Sequence, residues 1–139
     1  MVKVPEKDKP PIGRATQIAA RIIAAILATI WVYFGVLYLT GEPGECRVVN
    51  QTLGYPPYII PFIGVTHILG GMGLLLPNRT RLTDWIYAGL TYDLILAAFS
   101  HIRSGSSIGE ALDPVMVGVF VIASYILRQR TNANLWAST

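Results

Sequence analysis

The feature that most constrains this chain is the unbroken apolar run from about Thr16 to Leu39, interrupted only by Gln17 and Arg21 near its start. About 20 apolar residues coiled into a helix cross the hydrocarbon core of a bilayer. A helix also satisfies its own backbone N–H and C=O groups there, where no water can do so. Three further runs follow, over about 58–76, 84–102 and 112–127. The last is short, and it fits either by starting a turn earlier or by sitting where neighbouring helices thin the membrane. Of the whole chain 53% is hydrophobic and 14% charged, against about 25% charged in a soluble domain. Disordered, coiled-coil and ordinary water-soluble folds are thereby excluded. The expectation is an all-α integral membrane protein: a four-helix bundle over 14–130, a proline-broken polar tail over 1–13 and a short C-terminal tail over 131–139. The first run is too long for the core of a cleavable signal peptide, and it lacks the small residues of a cut site.

The breaks between runs set the topology. Thr40-Gly41-Glu42-Pro43 ends the first run, and Gly41–Pro57 reads as a loop rich in glycine and proline. Pro77-Asn78-Arg79-Thr80-Arg81 is a tight basic turn, and Asp84 suits the N-terminus of the third helix. Asp113-Pro114 reads as an N-cap followed by proline at the first helical position. With the N-terminus inside, Lys3, Lys7, Lys9, Arg14, Arg21, Arg79, Arg81, Arg128 and Arg130 fall on the inner side, and only Arg47 and Arg103 outside. That bias predicts both termini inside and the loop with Glu42, Glu45 and Cys46 outside. The bacterial inner membrane is the expected location.

Several chemistries drop out early. The bases flank apolar runs and do not alternate with aromatics, so no nucleic-acid surface is expected. One cysteine, Cys46, and two distant histidines make no zinc, haem or iron–sulfur motif and no intrachain disulfide. No metal is expected. The cofactor is left open, with a quinone as a candidate.

Asp93 stands in the middle of the third run. An ionisable group there is costly in lipid, so it faces the interior, pairs, or both. The second and third runs form a hairpin centred near Thr80, and positions 67 and 93 lie equally far from that centre. His67 and Asp93 should therefore meet at one depth on adjacent helices. Such a contact offsets part of the desolvation of both and creates a buried group able to move a proton. The bland alternative is a hydrogen bond that merely orients two helices.

On a helical period Gly89, Asp93, Leu96 and Ser100 share one face, and Gly64, His67 and Gly71 share another. Small residues beside a polar one mean backbones in contact or a pocket for a flat ligand, and spacing alone favours packing. His101, at the outer end of the third run, reads either as a histidine favoured by the helix C-terminus or as part of an outer proton route. Tyr33 and Tyr92 are deep enough to touch a ligand ring.

The stretch from Leu53 to Arg130 resembles the DoxX-like membrane family. It does so through Leu53-Gly54-Tyr55-Pro56-Pro57-Tyr58, Pro61, Gly64, Leu69-Gly70, Leu74-Leu75-Leu76-Pro77, Trp85, Tyr87-Ala88-Gly89, Asp93-Leu94, Ser100-His101 and Ser124-Tyr125. The Trp31/Gly35 region of the first span fits loosely. The resemblance implies a four-helix membrane bundle and a tie to redox complexes, the family name coming from a subunit linked to thiosulfate:quinone oxidoreductase. This chain departs from the pattern at His67, where many relatives carry lysine. Imidazole in place of an ammonium makes titration near neutral pH more plausible.

Three functional readings stay open. One is a small membrane protein that binds a quinone- or isoprenoid-like ring compound, with proton handling by His67 and Asp93, within an oxidoreductase system. The second is a non-redox isomerase, cyclase or epoxide-opening enzyme using Asp93 as acid or base. The third is an accessory subunit of a larger complex. The expected partners are the bilayer, a lipophilic small molecule, and a second copy or a larger membrane assembly.

Overall fold

A computed structural model describes residues 14–76 and 81–137, with side chains over 15–76 and 81–130. Among these the chain is all-helical. It runs α1 (Arg14–Thr40), α2 (Pro43–Arg47), one π-helical turn (Val48–Thr52), α3 (Ile59–Leu74), α4 (Arg81–Ser104) and α5 (Ile108–Ala137). The basic turn at 77–80 and both tails lie outside the described residues. Helix α1 packs most closely on α3, and α4 on α5, while α1 also meets α5. The seam between α3 and α4 is the loosest of these contacts.

The residues of α1 show why. Its inward stripe is Ala20, Ala24, Leu27, Ala28, Trp31 and Gly35, all buried. Its outward stripe is Ile18, Ile22, Ile26, Ile30 and Tyr33, all exposed. Apart from Leu27 and Trp31, small residues point in and large apolar ones point out, the reverse of a water-soluble helix. Without a hydrophobic drive between helices, close backbone packing at small residues holds them together. A side chain on Gly71 would meet the Ala28 carbonyl at 2.8 Å, and one on Gly64 would meet the Gly35 carbonyl at 3.0 Å. The shared core is Leu27, Ala28 and Trp31 of α1, Leu74 of α3, Tyr87 and Leu90 of α4, and Val121 of α5.

Two helices are long and apolar enough to cross a membrane by themselves, over Ala15–Thr40 and Ile108–Arg130. Helix α3 is apolar but has only 16 residues, or about 24 Å at 1.5 Å per residue. Helix α4 is long enough but carries Asp84, Asp93, Ser100 and His101 along its length.

Two local readings need correction. The segment after Gly41 is not all loop: Pro43 sits at the start of α2, and the Glu42 carboxylate caps it by accepting from the Glu45 N–H at 2.8 Å. Helix α5 does not begin at Asp113-Pro114. It begins at Ile108, behind a capping box in which the Ser107 N–H donates to Glu110 Oε2 at 2.8 Å and the Glu110 N–H donates to Ser107 Oγ at 3.3 Å. Pro114 therefore lies inside the helix, late in its second turn. Arg128, counted above among the bases of the inner side, is buried in the structure. Its guanidinium donates to the Leu74 carbonyl at 2.8 Å and to the Leu76 carbonyl, over the Tyr87 ring. It satisfies carbonyls left open at the end of α3.

Helices α1 and α4 both end in Schellman closures. Gly41 and Gly105 adopt φ of +71° and +73°, the left-handed conformation such an ending requires. The next residue's N–H reaches back in each case, Glu42 to the Leu37 carbonyl at 2.9 Å and Ser106 to the His101 carbonyl at 3.1 Å.

Candidate functional site

The site lies in the loose seam between α3 and α4, with α1 behind it. A cavity of about 340 Å³ is lined by Trp31, Thr66, His67, Gly70, Ile86, Gly89, Leu90 and Asp93. Thr66 and Gly89 are exposed at its rim, and Trp31 is buried at its floor. Gly89 keeps the rim open, since a side chain there would meet nothing within 4 Å.

His67 and Asp93 face each other across this space, with His67 Nε2 at 3.6 Å from Asp93 Oδ2. The hairpin arithmetic thus placed them at one depth. The other imidazole nitrogen, Nδ1, is 2.9 Å from the Ile63 carbonyl. A carbonyl only accepts, so Nδ1 carries its proton permanently and Nε2 is the nitrogen free to gain or lose one. Nε2 and Oδ2 are the two facing atoms of the pair able to take up a proton. The separation is too long for a direct hydrogen bond of normal strength. An oxygen to the side of the pair, in the cavity, reaches both at about 2.8 Å and can accept from one partner while donating to the other.

The imidazole is fixed from α1. Trp31 stacks on it at 6.3 Å between centroids and 30° between planes, and Tyr38 meets it edge-on at 5.5 Å. Trp31 was not among the candidate residues read from the sequence. The signal available was a single large aromatic in a stripe of alanine and glycine.

The other candidates fall elsewhere. Gly64 and Gly71 are packing residues, turned toward α1 and not toward α4. Tyr92 is exposed, 73%, on the outside of α4. Tyr33 is also exposed and stacks edge-on with Phe34 at 5.6 Å. Both lie off the cavity lining, because each residue along a helix turns the side chain by about 100° and Tyr92 is one residue from Asp93, Tyr33 two from Trp31. Ser100 is buried and tied into a structural chain: its hydroxyl donates to the Leu96 carbonyl at 2.8 Å and accepts from the Tyr55 hydroxyl at 2.8 Å. His101 Nδ1 lies 3.1 Å from Ser106 Oγ, in the C-terminal cap of α4. Of the nine candidates, His67, Asp93 and Gly89 share the cavity.

No group of three or more His, Cys, Asp and Glu side chains is placed to hold a metal among the described residues. Cys46 is a free thiol on α2. Outside the spans, Glu42 is held below the usual carboxylate range by the Glu45 and Gly44 N–H groups that it caps. Glu45 is pushed up, first by burial and then by the charge of Glu42.

Helices that turn large apolar side chains outward, around a cavity with a facing acid and imidazole, define a class: small helical membrane proteins with a polar site inside an apolar bundle. The family model of the DoxX-like family matches residues 22–124, and the chain belongs to that family. Neither the curated proteins nor the solved structures contain a match to it.

Proposed function

We propose that this protein binds a lipophilic ring compound bearing a carbonyl or hydroxyl oxygen, and that His67 and Asp93 exchange a proton with that oxygen. The observation that supports this is the 3.6 Å approach of an imidazole to a carboxyl group at the wall of a mostly apolar cavity. A hydroxyl bridges the pair from the cavity side by accepting from His67 Nε2 and donating to Asp93 Oδ2. A carbonyl fits by accepting from His67 alone. The cavity volume is at the lower end of the range for small-molecule sites, about 300–1,000 Å³. It takes a ring headgroup, with any aliphatic chain leaving between α3 and α4 past Thr66 and Gly89.

In this reading the four long helices form a four-helix bundle, N-in and C-in, in a bacterial inner membrane. The seam then opens sideways into lipid, the reservoir of such compounds. A quinone supplies two-electron redox chemistry when bound; His67 and Asp93 contribute a proton donor and acceptor at its oxygen. Electron transfer then requires a partner in an oxidoreductase system. The same pair also serves acid–base chemistry on a non-redox isoprenoid.

Native mass spectrometry of the protein extracted in mild detergent tests the reading. The wild type should retain a lipophilic small molecule that Gly89→Leu, filling the rim, loses. Bare wild-type protein across several detergents, or retention undiminished in Gly89→Leu, overturns it.

A further inference from the structure

The floor of the cavity holds one polar atom that the proposed function does not use. Trp31 is 4% exposed, and its indole Nε1 is buried without a closed hydrogen bond. Buried indole N–H groups ordinarily find an acceptor, and one left open costs about 1–3 kcal/mol. Asp93 lines the same cavity, and its carboxylate interacts with this N–H short of hydrogen-bond geometry. The carboxylate of α4 therefore stands between two donors from two other helices, Trp31 of α1 and His67 of α3, and closes on neither.

We propose that Trp31 is a positioning residue for Asp93: its indole N–H takes hold of the carboxylate when the proton is on His67, and releases it when Asp93 is protonated or engaged by a ligand oxygen. The chemistry is asymmetric in the way this requires. An ionised carboxylate accepts a charge-assisted hydrogen bond roughly twice as strong as a neutral one. Protonated, the acid has a donor of its own to place, and Trp31 offers no acceptor to receive it. The move is small, because Trp31 and His67 are already stacked and both flank the same carboxylate. Among the described residues, the titratable side chains acting on Asp93 are His67 from α3 and Tyr38 from α1; Tyr38 in turn faces Glu45 and Cys46 from α2. The inference rests on Asp93 being the working acid, but its test needs no ligand.

The test is the indole ¹⁵N–¹H resonance of Trp31 in full-length protein carrying Trp85→Phe and Trp136→Phe, which leaves Trp31 the single tryptophan. The resonance should move downfield as pH rises through the ionisation of Asp93, followed at its ¹³C-labelled carboxyl carbon, and the movement should vanish in Asp93→Leu. Replacing Trp31 by benzothienylalanine keeps the ring and its packing and deletes the N–H; the Asp93 midpoint should then shift. An indole resonance that ignores both pH and Asp93, or an Asp93 carboxyl profile unchanged by the sulfur isostere, overturns the proposal. Either result leaves the mass-spectrometric test of ligand retention standing. Loss of ligand retention with a pH-coupled indole would sink the functional reading and keep this one.

Discussion

His67 Nδ1 is committed to the Ile63 carbonyl at 2.9 Å while Nε2 faces Asp93 at 3.6 Å, so a single imidazole has one structural and one chemical nitrogen. The first bond runs back one turn of α3 and fixes the ring plane. The second leaves a proton position open to the cavity. Nitrogen-15 spectra of histidine-labelled protein check this directly. His67 should show Nδ1 protonated at every pH at which the fold persists, with only Nε2 changing. A neutral form protonated at Nε2 would mean that the Ile63 bond does not exist and that the ring is free to turn.

The glycines on either side of the site should behave oppositely. A methyl on Gly71 has to push into the Ala28 carbonyl at 2.8 Å and the Trp31 Cβ at 3.1 Å, and both belong to the closely packed α1–α3 pair. Overpacking of this kind costs about 1–3 kcal/mol. A methyl on Gly89 meets nothing within 4 Å. Gly71→Ala should lower the unfolding temperature in detergent clearly, and Gly89→Ala should leave it nearly unchanged. Equal effects would show that α1 and α3 are not in backbone contact.

What the sequence made legible follows from the distinction between depth and direction. The hairpin count fixed the depth of His67 and Asp93, because rise per residue is constant on both sides of a turn. It did not fix direction, so Gly64 and Gly71, on the same face as His67 by period, turn out to face α1 while Gly89 faces the cavity. Tyr92 differs from Asp93 by one position and points away. The start of α5 was readable, since Ser107-Ile108-Gly109-Glu110 has capping-box spacing. The Asp113-Pro114 pair competed with it as a local signal. Arg128 was not readable: its partners are carbonyls at the end of α3, more than fifty positions away in the chain, and no local pattern encodes them.

Arg128 leads to a further prediction. Its guanidinium donates from α5 to two carbonyls at the end of α3, that of Leu74 buried and that of Leu76 partly so. Removing a donor from a buried acceptor costs about 1–3 kcal/mol for each group left open. Arg128→Ala should therefore destabilise the protein strongly. Arg128→Lys, a point charge without the planar fork, should recover only part of the loss. Thermal unfolding of the purified variants, with amide exchange at 74–76, would measure it. Full recovery by lysine would indicate that charge at the membrane face matters there and that the fork does not.

Glu42, which caps the short α2, and Glu45, which lies on it, are outside the spans and should respond to acid with opposite signs. The folded-state proton affinity of Glu42 is lowered, because its carboxylate accepts from the N–H groups of Glu45 and Gly44. Its contribution is complete above the ordinary carboxylate value of 4.5 and is lost as pH falls through the lower folded value. Glu45 is raised by burial, so its charge opposes the fold at neutral pH, and that opposition is relieved as pH falls through the folded value toward 4.5. Glu42→Gln should accelerate amide exchange at Glu45 and Cys46 at pH 7, and most of that difference should disappear on acidification. Glu45→Gln should leave the same amides as protected as in the wild type, or more so. Matching acceleration in both variants would mean that α2 is held by net charge at the loop, with no part played by the 2.8 Å cap from Glu42 to the Glu45 N–H.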